Sequence, residues 1–412
     1  MISCLVPLAL RRRLFLAVVA LAAALLWLAP GEASAYPWMI RHEYTACAQC
    51  HTDPSGGGIL TPYGRAQGEI LLRQQWGRDP DAEPGKVADF MFGAFKVPDA
   101  LLLQGDVRSL FLQVVPFKGK APDPRFILMQ ADMAAQVTAS RFRANGSLGF
   151  AHEGALGASI TRGDTSDARQ LNRLVSRVHW VGVDLGAENE VLLRAGRMNV
   201  PFGIRSLEHT LWTRKETRSD INDAQQYGLA VSYNSGKFRG ELMGIAGNFM
   251  ISPDKVRSRG YAGYAEYALG PKMAIGLSST LTYTQQDLLL QTKGIRQSHG
   301  IFIRSSPTKK VVLMTEIDLL HTTLTTPGAV GLVNATQIDF EPITGLHFGG
   351  TFEARQRSFS SEASSVGGWL SAWWFFAPHT DIRVDGILQS LSTPGGSSTG
   401  VTSILAQLHV YL

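Results

Sequence analysis

The chain has 412 residues, 42 of them glycine, with 18% charged residues and a formal net charge of +5. That length has room for two domains, the composition does not suggest disorder, and so modest a basic excess without a basic tract gives no sign of a nucleic-acid partner. Three cysteines are too few for a disulfide framework.

Arg11, Arg12 and Arg13 precede an apolar run from Leu14 to Ala29, and Ala33-Ser34-Ala35 follows as a small-x-small cleavage site. This is the plan of a signal peptide over residues 1–35, with Tyr36 opening the mature chain. The competing reading, an anchor helix, needs ~20 apolar residues to cross a bilayer, and the run falls short. Arg12-Arg13-Leu14-Phe15-Leu16 also fits a twin-arginine signal, whereas the very apolar core fits the general secretory route; both stay open. Cleavage removes three arginines and Glu32, lowering the charge by two, and takes Cys4 with it. Cys47 and Cys50 are then the only mature cysteines.

Residues 36–98 form a first unit built around Cys47-Ala48-Gln49-Cys50-His51. Cys-x-x-Cys-His is the attachment pattern of haem c: two thiolates bond the vinyl groups and the adjacent imidazole reaches the iron. The spacing lets both thioethers meet one porphyrin edge with the histidine beneath it. A thioredoxin-type thiol pair and half of a zinc site are the alternatives; the first wants a βαβ context and the second a further Cys or His pair. Cys47 and Cys50 are therefore expected to hold one covalent haem, with His51 as the proximal iron ligand. For the other side of the iron, Met91 would give a His/Met couple of higher potential and His42 a lower bis-His couple. Met39 is a third candidate and an open position a fourth.

After the motif, Pro54-Ser55-Gly56-Gly57-Gly58 reads as a loop able to wrap a flat ligand, against the alternative of an ordinary flexible loop. Ala66 to Gln75 predicts a short amphipathic helix, and Asp79 to Gly85 a turn-rich linker.

From about residue 99 to 412 the pattern alternates with period two. Between Ile127 and Val137 the odd positions are apolar, while Gln130, Asp132 and Gln136 fall on the other face. Similar segments recur to Ile404, Ala406, Leu408, Val410 and Leu412. They predict about sixteen antiparallel strands of a transmembrane β-barrel, with short turns on one side and loops such as Glu153 to Leu171, Ile204 to Gln225, Gln285 to Ser298 and Ser358 to Gly367 on the other. A soluble β-sandwich or small barrel also alternates, but so many hairpins match a porin-sized barrel. Tyr261, Tyr264, Tyr267, Trp369, Trp373 and Trp374 are expected at the membrane interfaces. Charges such as Asp132, Arg239, Glu241, Glu316, Asp318 and Arg383 are expected to line the lumen, and none is assigned a catalytic role.

The Cys47-x-x-Cys50-His51 segment, Pro62-Tyr63-Gly64-Arg65 and the barrel together resemble the fused monohaem cytochrome-porins of bacterial outer membranes, a group that includes iron oxidisers. Arg194-Ala195-Gly196-Arg197-Met198-Asn199-Val200-Pro201-Phe202-Gly203 is similar to a phrase of phosphate-selective-type porins. Where the iron oxidisers are expected to carry a Phe-Pro stretch, this chain has Pro54 to Gly58. The resemblance implies electron transfer across the outer membrane, and an even strand count with short turns on one side is expected to place both chain ends in the periplasm. Partners would be outer-membrane lipid, periplasmic electron carriers, and an extracellular redox partner or small reductant. The alternative is a porin for small solutes whose haem-bearing segment is a plug or gate.

Overall fold

In the computed structural model the described residues are 37–54, 56–76, 85–115, 123–152, 172–206, 208, 210–287, 290–325, 327–392 and 398–412. The expected signal segment, most of the Asp79 to Gly85 linker and the Glu153 to Leu171 loop lie outside them.

The fold is mainly β, a closed antiparallel barrel of sixteen strands among the described residues. In chain order they are β1 (Leu101–Val115), β2 (Asp123–Ala139), β3 (Phe142–His152), β4 in two pieces (Asn172–Val175 and His179–Leu185), β5 (Val191–Met198), β6 (Gln226–Ser235), β7 (Phe238–Gly247) and β8 (Arg259–Gly270). There follow β9 (Met273–Thr284), β10 (Gly294–Thr308), β11 (Val311–Thr322), β12 (Ala329–Ile343), β13 (Leu346–Gln356), β14 (Ser365–Ala377), β15 (Thr380–Ser392) and β16 (Ser398–Tyr411). Both pieces of β4 pair with β3. β1 pairs with β2 on one side and with β16 on the other, from Asp106 opposite Tyr411 to Val115 opposite Thr402, and this closes the sheet. Closure leaves no edge, so every strand can satisfy its backbone groups even in lipid.

Period two decides what faces where. Leu229, Leu370 and Leu388 stand on the exterior at 70%, 78% and 64% exposure, while Glu241, Glu266, Glu316 and Glu353 are buried inside. An apolar exterior around a charged interior is the inverse of a soluble barrel and the arrangement a bilayer requires. Among the described residues no helix is long and apolar enough to cross a membrane.

The alternation has one break that the sequence pattern hides. The β1–β2 register shifts beside Arg108 and Ser109, skipping Met129. A bulge of this kind flips the parity of the strand. Ile127 and Met129 consequently pack inward beside Leu110, while Met133 and Val137 are exposed outside. The expected single apolar face from Ile127 to Val137 is thus two faces joined at the bulge.

The aromatic girdle also needs correction. Tyr261, Tyr267 and Trp374 are exposed on the exterior, but Trp369 and Trp373 are buried and Tyr264 lines an internal cavity. Tyr264 has the opposite parity to Tyr261 and Tyr267, as Trp373 has to Trp374, so period two sends each pair to opposite faces.

Candidate cofactor site in the barrel lumen

β1 and the end of the chain meet near the rim that carries the short turns, where Gly105 and Leu412 exchange backbone hydrogen bonds of 3.0 and 2.8 Å. The segment before β1 enters the lumen from this rim. Its first 3₁₀ turn, Pro37–His42, is pinned by Arg41, which is buried, forms an ion pair with Asp339 and donates to Glu341 at 3.0 Å. Beside it Trp38 packs on His347, Trp373 and Phe375, at ring separations of 4.4, 5.7 and 6.1 Å. Met39 and Ile40 complete an apolar cluster with Leu72, Phe302 and Met314. An ion pair in such a place stabilises little in net terms but fixes one position for the segment, because either charge left alone would be costly.

The Cys47–Gln49 3₁₀ turn carries the motif. Cys50 and His51 both donate their backbone N–H to the Cys47 carbonyl, at 3.1 and 3.0 Å, which puts the two thiols and the imidazole on a single turn. The chain then doubles back: Thr52 N–H donates to Ile59 O at 2.9 Å and Thr61 N–H to Cys50 O at 2.9 Å. Gly56, Gly57 and Gly58 make this reversal at φ of 93, 85 and 65°, a region closed to most side chains. Thr61 then caps helix α1 (Pro62–Gln67), its hydroxyl accepting from Gly64 N–H at 3.0 Å, with Pro62 at the first helical position. A single π-type turn, Gly68–Leu72, ends the helical stretch, which starts earlier than the expected Ala66 to Gln75.

The barrel wall grips this hairpin from several strands. Gln104 accepts from Leu60 N–H at 2.8 Å, Asn199 donates to Asp53 at 3.4 Å, and Arg194 lies 3.5 Å from the same carboxylate. Arg304 donates to Thr45 O at 2.9 Å, and Arg239 Nη1 lies 3.6 Å from Cys47 Sγ. Cys47, Cys50 and His51 open onto one cavity of about 210 Å³ that is partly open to solvent.

The donor set fits a haem c. Both cysteines are free thiols. Burial, and secondarily the neighbouring Cys47, pushes the Cys50 thiol up to about 12, the reverse of the lowered value that activates a thioredoxin-type pair. Burial lowers His51, partly offset by hydrogen bonding to the Gly58 and Gly57 backbone and by Asp53, and a neutral imidazole is the form that ligates metal. The Nδ1 atom of His51 is buried and has no hydrogen-bond partner of its own. Arg108, Arg177, Arg205, Arg239 and Arg304 line the cavity, each paired with a carboxylate of the protein.

Of the three residues expected as distal ligands, His42 and Met91 are not on the cavity lining. His42 lies 3.9 Å from Glu341, and Met91 sits in the turn Phe90–Gly93, whose Phe92 packs against His379 on the barrel rim. Met39 does line the cavity.

A second inward element was read from sequence as an outer loop. The chain between β5 and β6 folds into the lumen, where Ile204 N–H donates to Glu316 at 2.7 Å and Trp212 N–H to Glu353 at 2.6 Å. Helix α2 (Trp212–Thr217) brings Arg214 to Glu316, and Glu208 pairs with Arg383. The available signal was Ile204, Leu211 and Trp212, three large apolar residues in an otherwise polar stretch.

No family model matches the chain, and no curated protein does. Among solved structures it is similar to OmpT, an outer membrane protein of Vibrio cholerae, with TM-score 0.58, 10% identity, and cover of 77% of this chain and 100% of that one. It is also similar to an anion-selective porin from Comamonas acidovorans, with TM-score 0.53, 12% identity, and cover of 76% and 99%. Salmonella typhi OmpF gives TM-score 0.54 and 11% identity, covering 77% and 100%. Identities this low establish the porin-type barrel fold and nothing of cargo or chemistry.

Proposed function

We propose that this chain is an outer-membrane electron conduit: Cys47 and Cys50 bear one covalent haem c, His51 is an iron ligand, and the barrel holds the group within the membrane. The observation that carries the reading is that both thiols and the imidazole, on one helical turn, open onto a single cavity inside the lumen. When bound, the haem supplies a reversible one-electron iron couple. The residues present position and shield it. The Gly56–Gly58 reversal lets backbone stand close to a flat ligand, the Arg41 and Trp38 contacts hold the segment in register, and the barrel wall separates the site from lipid. An apolar band is ~25 Å tall, so one haem reaches only part of the way and a redox partner approaches from each side. With both barrel ends on the short-turn rim, that rim would face periplasmic carriers and the loop rim an extracellular donor or acceptor.

A porin for small solutes is the second reading, favoured by the likeness to porins. Against free passage stand two lumen elements, the N-terminal segment and the chain between β5 and β6. Haem staining of the denatured wild-type protein and of a Cys47→Ala/Cys50→Ala variant tests the first reading, since only thioether-linked haem survives denaturation. Proteoliposomes enclosing an electron acceptor then separate the two: reduction from outside supports the conduit, and solute leakage without reduction overturns it.

A further inference from the structure

We propose that Met39 supplies the second axial ligand of the haem iron, an inference that rests on the haem reading above. Among the described residues, the cavity bordered by the cysteines and His51 has few other groups able to bind a haem iron. His409 borders it, but both ring nitrogens are engaged, Nδ1 with Asp381 at 2.9 Å and Nε2 with Asp106 at 3.1 Å. The carboxylates on the lining are held in ion pairs: Asp53 by Arg194 and Arg205, Glu266 by Arg239 and Arg304, Asp132 by Arg177. Using one of them would strand a buried arginine. Tyr264 would have to lose its phenolic proton within the lumen. Met39 has no such commitment. Its thioether needs no deprotonation, it is 3% exposed, and its place on the lining is fixed from both sides by Trp38 and Arg41. A soft sulfur opposite a neutral imidazole is a ligand set haem iron accepts, and it raises the potential relative to two imidazoles. His42, three residues on, lies instead beside Glu341.

The test uses the full-length protein purified from outer membranes, with absorption and magnetic circular dichroism spectra and a redox titration. Wild type is expected to show the thioether-to-ferric-iron charge-transfer band. Met39→Leu, close in volume and so tolerable to packing, should lose that band, turn high-spin and bind carbon monoxide in the ferrous state. Met39→His should restore a six-coordinate, bis-imidazole spectrum at a lower potential, which a purely structural role would not do. Met91→Leu and His42→Gln should leave the band unchanged. Covalent haem whose band survives Met39→Leu, or disappears in Met91→Leu or His42→Gln, overturns the Met39 assignment and leaves the haem reading intact. Absence of covalent haem from wild type overturns both.

Discussion

Gly64 stands so close to Cys50 that a Cβ on it would lie 2.3 Å from the Cys50 carbonyl oxygen and 2.8 Å from its Cα. Helix α1 therefore rests on the backbone of the motif, and only a residue without a side chain permits it. Gly64→Ala forces the helix away at a cost of about 1–3 kcal/mol, typical of overpacking. The barrel strands do not share that contact. The expected outcome is a lower haem-to-protein ratio in a barrel of unchanged electrophoretic heat-modifiability; equal haem content in the variant would show that α1 has no part in holding the motif.

Arg214 and Glu316 join the chain between β5 and β6 to the wall, both almost fully buried. Arg214 also donates to Phe202 O at 3.2 Å and to Ser219 Oγ at 2.8 Å. Arg214→Ala leaves Glu316 buried without its cation, a loss on the order of 3–5 kcal/mol, which should release this chain from the wall. Single-channel recordings in planar bilayers are expected to show higher conductance than wild type. An unchanged trace would mean that the N-terminal segment alone seals the lumen.

The barrel was legible because period two is a local signal: each strand announces its own lipid face through residues such as Leu229, Ile404 and Leu408. Strand number and short turns followed from the same signal. The inward course of the chain between β5 and β6 was not legible, since its partners Glu316, Glu353 and Arg383 lie more than a hundred residues downstream and a polar loop reads alike whether it faces water or a charged lumen. The bulge at Met129 was hidden for a related reason: Ile127 and Val137 are equally apolar, and only the register with β1 tells which of them faces lipid. At the motif, the spacing identified the thiols and the imidazole as a group. Which methionine or histidine shares their cavity depended on how the Pro37–His42 turn docks, and Arg41 decides that through residues about 300 positions away.

His42 makes the docking of the N-terminal segment sensitive to acid. Burial first, then the positive charges of Arg41, His347, Lys272 and Lys309, lower it from 6.5 to about 4, with Glu341 the anionic neighbour at 3.9 Å. Because the folded value lies below the unfolded one, the undocked segment takes up the proton first as pH falls. The contribution is complete above pH 6.5, declines between 6.5 and 4, and totals about 3 kcal/mol across that window. Limited proteolysis in detergent should clip the N-terminal segment faster at about pH 4.5 than at about pH 7.5 in wild type, and His42→Gln should flatten the difference. Equal acid sensitivity in the variant would assign the effect to other groups.

Leu370 tests whether the apolar exterior meets lipid. It lies near the middle of β14, with Gly350 opposite it on β13 and Gly386 opposite it on β15, so no side chain flanks it across either ladder and it is 78% exposed. The next residue inward in parity, Trp369, is buried and donates its indole N–H to Glu353 at 2.6 Å. An arginine at 370 would have no carboxylate directly opposite it to pair with. Its guanidinium would have to reach water along the barrel wall, and at mid-bilayer such a substitution costs roughly 2–4 kcal/mol. Urea titrations of folding into lipid vesicles should show Leu370→Arg destabilised by that amount and Leu370→Ala by much less. Equal stability of the arginine variant would mean that this face is wet, and the membrane assignment of the barrel would fail with it.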